Sequence, residues 1–212
     1  MDSFRQFTEK YPLQSYKKGE TILLKGEKPK GVLIVESGLI KMYSITGTGY
    51  ERLVAIDRRG EDFPIGFAFG LIDKSQFFYN AYTRCSVRII PQDKFLTHLH
   101  SNVESMYRHH IRMTNLLLST LSRVHALEQS TAADKIAHTL FYMASQVGVI
   151  LRPYKAKLEI SVTQQEIANS LGLSRETTSI ELKKLEALHL VSHTRKRYTL
   201  YQEQLQKYID RK

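Results

Sequence analysis

The sequence has little of what would place it outside the soluble globular class. Only Cys85 among the 212 residues is a cysteine, which excludes a disulfide framework and a multi-cysteine metal site within one chain. The longest run without Asp, Glu, Lys or Arg is the 16 residues 136–151, whose polar members argue against a transmembrane span. The first 13 residues contain no apolar segment of the kind that directs export. These absences predict a cytoplasmic protein.

Acidic residues are scarce relative to basic ones. Lys and Arg number 31 against 21 for Asp and Glu, so the net charge is +10 at pH 7. Such a surplus favours partners that carry phosphate groups. Half of the surplus lies in residues 151–212, where 12 basic residues stand against 7 acidic ones.

Glycine and proline are absent from residues 92–147, and this gap divides the chain. Nine of the 11 glycines lie at or before Gly70, where short apolar segments alternate with turn residues, as in an all-β sandwich or roll. The 56 residues without a breaker permit long helices. Thr131, with Asp134 three residues later, predicts that a new helix begins inside this stretch.

Apolar residues follow alternating spacings of three and four along the first part of the helical stretch. This seam predicts a helix that pairs with another helix over more than three heptads, and its members are Val103, Met106, His110, Met113, Leu117, Thr120, Val124 and Leu127. A second apolar stripe beside it comprises Tyr107, Ile111, Leu118 and Leu121. We expect one stripe to pack on the β domain and the other on the same helix of a second copy, which gives a homodimer. The alternative is a helix buried on two sides within one subunit.

An ordered pattern in the C-terminal third predicts a helix-turn-helix. Thr163 and Glu166 form a capping box at the start of a helix. Ala168 is small where two helices would cross, and Gly172 follows where the tight turn needs a positive φ. Ser174 then caps a second helix. A plain helical hairpin is the alternative.

The second helix of such a motif enters the DNA major groove with its N-terminal residues against base edges. Arg175 would donate a bidentate pair to guanine, and Glu176 would accept from cytosine N4. Ile180 cannot hydrogen-bond a base but can contact a thymine methyl group. The other residues expected at DNA would position the helices through phosphate or mixed contacts, and they are Thr163, Gln164, Gln165, Ser174, Thr177, Ser179 and Lys183. For each polar side chain the alternative is a solvated helix face.

Two short strand segments flank a basic turn after this motif. Residues 190–193 and 198–201 are the strand segments, and Arg195, Lys196 and Arg197 are three adjacent cations between them. The arrangement is typical of a wing whose tip lies against the phosphate backbone. By itself the same turn would be a solvated loop.

Together these patterns predict an α+β fold with three parts. Residues 1–98 form an N-terminal antiparallel β-roll of the jelly-roll type. Residues 99–128 form a long dimerisation helix and hinge, and residues 129–212 form a C-terminal winged helix-turn-helix domain that binds DNA.

Residues 15–205 resemble the Crp/Fnr superfamily of bacterial transcription regulators. Segments 16–27 and 32–38 resemble the opening of its cyclic-nucleotide-type β-roll, and segments 134–140 and 173–179 resemble its DNA-binding domain. The resemblance implies that the β-roll is a sensor domain. It also implies a homodimeric transcription regulator that binds a pseudo-palindromic site in double-stranded DNA and contacts RNA polymerase. The alternative function is a ligand-binding regulatory module, with haem or a small apolar effector, that acts through protein contacts. Enzymatic activity is not expected, because no Gly-rich phosphate loop, HExxH helix or GxSxG elbow occurs.

The residues expected at the effector pocket depart from the cyclic-AMP binders of this family. Those proteins have a Gly-Glu pair for the ribose and an Arg-Ser pair for the cyclic phosphate, where this chain has Gly66-Phe67 and Tyr79-Asn80. Without a cation the phosphate would be buried unpaired, so cyclic AMP is not expected. Thr120 completes the expected pocket. The nearby aromatic residues predict an apolar pocket or, as we favour, a filled core: Phe63, Phe67, Phe69, Phe77, Phe78 and Tyr79.

No cofactor or metal site is predicted. The oxygen-sensing branch of the family holds an iron–sulfur cluster on several N-terminal cysteines, which this chain lacks. Haem stays open, with Cys85, His98, His100, His109, His110 and His125 as candidate iron ligands, although histidines on a helix surface or in a dimer seam need no metal. In the seam, His110 would meet its symmetry mate and make the dimer sensitive to pH.

Two positions of the second helix also depart from the family. Many relatives have an Arg where this chain has Ile180, so the inner bases of the target are expected to differ from the well-known half-sites. They have an apolar residue where this chain has Glu181, at a position that usually faces the domain core.

Overall fold

The computed structural model describes residues 3–152, 155–158 and 160–210. It divides the chain into two compact units. The first comprises Met1–Ser44 and Leu53–Leu116, and the second comprises Ile45–Arg52 and Leu117–Lys212. We describe each unit by itself.

Two four-stranded antiparallel sheets organise the N-terminal part of the chain. The strands are β1 (Leu13–Tyr16), β2 (Thr21–Leu23), β3 (Val32–Ser37), β4 (Ile40–Ile45), β5 (Glu51–Asp57), β6 (Asp62–Phe63), β7 (Phe78–Ala81) and β8 (Cys85–Ile90). One sheet has the order β1-β8-β3-β6 and the other β2-β7-β4-β5. The helices of this part are α1 (Ser3–Thr8), α2 (Ile65–Ala68) and α3 (Gln92–Ser101). The antiparallel roll expected from the apolar segments is confirmed.

Strand β3, one of the two inner strands of the first sheet, is buried on both faces. Because successive side chains of a strand point to opposite faces, Leu33 and Val35 pack in one core cluster, whereas Val32 and Ile34 pack in another. The first cluster includes Phe63 and Tyr79, whose rings stack at 4.9 Å. The second includes Phe67, Phe95 and Leu99 from the helices.

The C-terminal part contains a long helix, a helix-turn-helix and a third four-stranded sheet. Its elements are α4 (Val103–Glu128), α5 (Ala132–Val147), β9 (Gly148–Arg152), β10 (Lys155–Leu158), α6 (Gln164–Leu171), α7 (Arg175–Ala187), β11 (Val191–Thr194), β12 (Arg197–Tyr201) and α8 (Gln202–Ile209). The strand order of this sheet is β11-β12-β10-β9. As predicted, Thr131 caps α5 and accepts a bond of 3.1 Å from the Asp134 N–H. The long helix and the mixed α+β class are confirmed.

The inward face of α4 is polar, which sequence periodicity did not predict. Its buried and half-buried positions also recur at spacings of three and four, at Ser105, His109, Arg112, Leu116, Ser119, Arg123 and Ala126. Both apolar stripes stay largely exposed in the chain: Val103, Leu117, Val124 and Leu127 from the seam, and Tyr107, Ile111, Leu118 and Leu121 from the second stripe, are each at least 39% exposed. Within the first unit, Met106 of the seam packs on the second core cluster, whereas Val103, Tyr107 and Ile111 are exposed. The inward row thus combines polar side chains with Leu116 and Ala126.

In the first unit, α4 contributes to a buried group of charges. The Arg112 guanidinium bonds the Asp62 carboxylate and lies 3.8 Å from Oδ1 of Asp57, and Nδ1 of His109 lies 3.3 Å from Oδ1 of Asp62. Burial opposes ionisation of Asp62, but Arg112 and His109 outweigh it and hold the pKa below its usual value. Burial raises the pKa of Asp57 from 3.8 to about 7. The Arg112 guanidinium, 3.8 Å away, opposes this rise but does not cancel it.

We expect the stability of the protein to depend on pH through Asp57. The folded chain binds the Asp57 proton more tightly than the unfolded chain does, so this carboxyl lowers the free energy of unfolding as pH rises from about 4 to about 7. Asp57→Asn should remove that decline, which urea unfolding of both proteins at a series of pH values would measure. Asp73→Asn, at an exposed carboxylate, is the control. A wild-type minus Asp57→Asn difference that does not change with pH would contradict the expectation.

Candidate nucleic-acid interface

Local hydrogen bonds define both ends of the helix-turn-helix. At the start of α6, the Thr163 N–H donates to Glu166 Oε2 at 2.6 Å, and the Glu166 N–H donates to Thr163 Oγ1 at 3.0 Å. Gly172 ends α6 with φ +72°, a left-handed conformation that glycine adopts without strain. Ser174 caps α7 and accepts from the Thr177 N–H at 3.0 Å. The capping box, the turn and the second cap are all present where the sequence predicts them.

The two helices of the motif cross at a small buried residue. Ala168 is 0% exposed, as are Ile167 on α6 and Leu182 on α7. Thr178, also fully buried, donates its hydroxyl to the Ser174 carbonyl at 2.9 Å, so no polar atom is stranded at the crossing. The crossing holds the N-terminus of α7 at a set angle to α6.

Ala168→Leu is expected to destabilise the second unit. The three added carbon atoms have no space between α6 and α7, and overpacking of this kind costs about 1–3 kcal/mol of unfolding free energy. Urea unfolding would measure the loss. Gln165→Leu adds an apolar side chain on the exposed side of the same helix and should cost far less. Equal losses in the two variants would show that the helices do not meet closely at Ala168.

The side chains expected to read bases lie at the exposed N-terminal end of α7. Arg175 and Glu176 are exposed, and Ile180, one turn further along, is 55% exposed. Hydrogen bonds from its own backbone N–H and from Ser174 lower the pKa of Glu176, so the side chain is an ionised acceptor at neutral pH. Lys183 is exposed, and Thr177 and Ser179 are half-buried.

The start of α6 lies beside the wing. The amide nitrogen of Gln164 lies 3.4 Å from Nε2 of His193. Gln165 is exposed, and its amide nitrogen donates to Asn169 Oδ1 at 2.7 Å. The Val162 N–H donates to the Lys196 carbonyl at 2.8 Å, which ties the wing turn to the residue before Thr163. The predicted phosphate contacts of α6 and of the wing are thereby brought next to each other.

The wing is a hairpin of β11 and β12 with a basic tip. Residues 191–194 pair with 197–200 in antiparallel register. Arg195 adopts φ +58° at the tip, and Arg195, Lys196 and Arg197 are all exposed. Tyr198 follows them with 0% exposure, and its ring stacks on His193 at 5.3 Å. The buried Tyr198 therefore anchors the hairpin in the protein, and the three cations of the tip are directed to solvent.

Glu181 departs from the expected apolar position without disturbing the helix. Its side chain is only 16% exposed, and it binds the Lys184 ammonium at 2.7 Å. The two charges, three residues apart on α7, compensate each other where relatives have an apolar contact.

The sequence patterns did not predict one buried cation of this unit, Arg123. Arg123 is 6% exposed and donates to Thr139 Oγ1 at 3.0 Å and to the Ser170 carbonyl at 2.8 Å, so it joins α4 to α5 and to the end of α6. Burial lowers the pKa of this guanidinium. No local pattern signals it, because its partners are 16 and 47 residues away.

The residues expected at the effector pocket are closely packed in the first unit, except Thr120, which belongs to the second unit. Gly66 and Phe67 are in α2, where a Cβ on Gly66 would lie 3.0 Å from Ile72. Tyr79 and Asn80 are in β7, and Tyr79 is 3% exposed under the Phe63 ring. The six aromatic side chains of this region are buried or half-buried, as in the filled core that the sequence favours.

Three of the candidate iron ligands, His98, His109 and His125, contact other side chains. His98 stacks on Phe7 at 3.9 Å and lies 2.9 Å from the Ser105 hydroxyl. Cys85 is buried, and burial raises the pKa of its thiol to about 11. Residues 3–152, 155–158 and 160–210 contain no group of three His, Cys, Asp or Glu side chains placed to hold a metal ion. Among these residues, no helix is both long and apolar enough to cross a membrane.

Two family models match the chain. The model for the cyclic nucleotide-binding domain matches residues 13–102, and that for the Crp-like helix-turn-helix domain matches residues 134–208. Together they cover the β-roll, the helix-turn-helix and the wing.

Known proteins share this arrangement along nearly the whole chain. The cAMP-activated global transcriptional regulator CRP of Escherichia coli O157:H7 is 30% identical over 195 residues, which cover 91% of this chain and 88% of that protein. The c-di-GMP responsive regulator CLP of Xanthomonas campestris superposes with a TM-score of 0.74 at 21% identity, covering 93% of this chain and 97% of the other. A CooA mutant from Carboxydothermus hydrogenoformans superposes with a TM-score of 0.78 at 19% identity, covering 99% of this chain and 92% of the other. The two structures share the fold.

Proposed function

Because the chain belongs to the Crp/Fnr superfamily of bacterial transcription regulators, we propose that it binds a pseudo-palindromic operator as a homodimer, through α7 and the wing. The observation that carries this proposal is the exposed N-terminal end of α7, with Arg175 and an ionised Glu176, in a unit that also presents the exposed basic tip of the wing. A guanidinium and a carboxylate on adjacent residues offer a donor pair and an acceptor to the edges of successive base pairs.

The two sets of polar residues would have different roles. Arg175 would pair with guanine, Glu176 with cytosine N4, and Ile180 with a thymine methyl group, so they would determine the operator sequence. The residues that flank these three would bind backbone phosphates. They would set the register of the protein on the DNA without reading bases. Those residues are Thr163, Gln164, Gln165, Ser174, Thr177, Ser179, Lys183, Arg195, Lys196 and Arg197.

The exposed side of α4 supports the homodimer. Its apolar side chains include Leu117 at 59% and Leu121 at 55% exposure, on the side opposite the polar inward face. A matching helix of a second copy would remove both stripes from water. Two recognition helices related by a two-fold axis require half-sites about one helical turn apart, or ~34 Å, which matches a palindromic operator.

The effector of this chain is proposed to differ from cyclic AMP. Phe67 and Tyr79 stand where cyclic-AMP binders have a carboxylate and a guanidinium, and both are buried in apolar clusters. Neither side chain can supply a cation to a cyclic phosphate, whose buried charge would then lack the partner that it has in those proteins. The binding partners named for the relatives belong to those proteins, and no cofactor is assigned to this one. We propose no iron–sulfur cluster, because the chain lacks the N-terminal cysteines that would hold one, and no haem, because histidines on a helix surface need no metal.

Further aspects follow from the proposed activity. A DNA-binding regulator acts where the chromosome lies, so we place the protein in the cytoplasm with RNA polymerase as a partner. Its relatives are named as regulators, and we propose no catalytic activity.

Selection of genomic DNA fragments by the purified protein, with no added ligand, tests the proposal. We expect the recovered fragments to share a two-fold symmetric sequence, which gel shifts then confirm against random fragments of equal length. Recovery of fragments without a shared sequence would contradict sequence-specific binding. A shared sequence that appears only after cyclic AMP is added would contradict the proposed ligand specificity.

A further inference from the structure

The hairpin end between β4 and β5, residues 45–52, packs against the turn of the helix-turn-helix and is called here the β4–β5 tip. It belongs to the second unit. A Cβ placed on Gly172 would lie 3.1 and 3.2 Å from the two terminal nitrogens of Arg52. The Arg52 guanidinium therefore lies over the bare backbone between α6 and α7.

Hydrogen bonds within the tip hold it in one shape. The Thr46 N–H donates to the Tyr50 carbonyl at 3.0 Å, and the Gly49 N–H donates to the Thr46 carbonyl at 2.9 Å. The Thr46 hydroxyl accepts from the Tyr50 N–H at 3.1 Å. A closed turn of this kind presents Arg52 from a rigid support rather than from a mobile loop.

The tip and the helix-turn-helix enclose an open cleft of about 380 Å³. Thr48, Tyr50 and Arg52 form one wall, and Gln165, Ser174 and Arg175 form part of the other. Guanidinium, hydroxyl and amide groups from two directions are the donors that bind phosphate oxygens in protein–DNA contacts.

The charges around the cleft are predominantly positive. Arg52 and Arg175 lie on opposite walls, and Glu176 is the single carboxylate of the lining. Arg52 has no ion-pair partner in the described parts of the chain. Burial lowers the pKa of Arg123 and the charge of Arg52 lowers it further, as expected for repulsion between two cations. An anion in the cleft would relieve that repulsion.

We infer that the β4–β5 tip is a further DNA-contacting element and that Arg52 binds a backbone phosphate in this cleft. The inference rests on the proposed function. When the first residues of α7 reach base edges, a phosphate strand passes the N-terminus of that helix, where Ser174 lies. Arg52 is on the opposite wall of the same cleft.

The opposite role, in which the tip covers the helix-turn-helix and blocks DNA, has less support. A cover for the positively charged start of α7 would present a carboxylate to Arg175, whereas the tip residues that line the cleft, Thr48, Tyr50 and Arg52, include a guanidinium and no carboxylate. Ser174, Arg175 and Glu176 also stay exposed with the tip in place.

Arg52→Ala tests the inference on the operator recovered by selection. We expect affinity at ~0.1 M salt to fall about 3- to 10-fold and the slope of log K against log salt to become less steep by about 1, with the specificity ratio unchanged. Arg52→Lys should retain the slope. Arg84→Ala removes the same charge from an exposed turn of the first unit and should change neither quantity.

Neutral methylphosphonates, substituted one at a time in the operator, identify the phosphate. One substitution should weaken the wild type but cause no further loss in Arg52→Ala. Unchanged affinity and slope in Arg52→Ala would overturn the inference, and tighter binding would show that the tip is a cover. Inorganic phosphate that raises the melting temperature of the wild type alone, with an unchanged slope, would show a free-anion site instead. In each of these cases, loss of specificity in Arg175→Ala leaves the proposed function standing.

Discussion

Arg175→Ala is expected to weaken operator recognition strongly while leaving the weak, salt-sensitive association with DNA unchanged in kind. Arg175 is the first residue of α7, is exposed, and is the best donor for a bidentate pair with guanine in the proposed interface. Loss of such a pair costs about 1–3 kcal/mol, or about 5- to 150-fold in specific affinity. Dissociation constants for operator and random DNA at several salt concentrations would measure the change.

Two variants separate base reading from charge in that experiment. Arg175→Lys keeps the charge but loses the planar pair of donors, so most of the specificity should still be lost. Lys183→Ala removes an exposed cation from the same helix and should weaken operator and random DNA to the same extent. If Arg175→Ala leaves the ratio of the two affinities unchanged, α7 is not the recognition helix.

The double variant Leu117→Glu and Leu121→Glu is expected to be a folded monomer that no longer binds the full operator tightly. Both leucines are more than half exposed in the single chain, so glutamates there cost little before association. In a helix pair each would be an unpaired charge next to apolar side chains, which is strongly unfavourable. Sedimentation would give the mass, and a gel shift would show binding reduced to that of one half-site.

Asn115→Glu is the matched control for this pair of substitutions. Asn115 is exposed on α4 but lies on a polar flank with Glu104, Arg108 and Ser122, outside both apolar stripes. This variant should stay dimeric with unchanged operator affinity. A double leucine variant that also stays dimeric would show that α4 does not form the interface.

The helix-turn-helix could be predicted closely because its signals are local. Each cap acts within three residues, from Thr163 to Glu166 and from Ser174 to Thr177, and the chain reverses at a single glycine. Turn and capping chemistry depends on residue type and short spacing, both of which are written in the sequence. The same holds for the wing, where two strand segments flank three cations.

The inward face of α4 could not be predicted in the same way. The apolar spacing identified two stripes correctly, but the helix packs by a third row that includes Arg112 and Arg123. Arg112 bonds Asp62, which is 50 residues away, and Arg123 bonds the Ser170 carbonyl, which is 47 residues away. His109, a candidate haem ligand by sequence, lies against Asp62 instead. Periodicity reports where apolar residues recur and is silent on buried polar contacts between distant segments.

By itself the sequence determined the α+β class, the order of roll, long helix and winged helix-turn-helix, and the residues expected to face DNA. These properties depend on residue patterns within a few turns or strands of each other. Only the tertiary structure decided which side of α4 faces the protein, how the aromatic side chains around Tyr79 fill the roll, and that Arg52 lies over Gly172. Each of these depends on contacts between segments far apart in the chain, which form only when the whole fold brings them together.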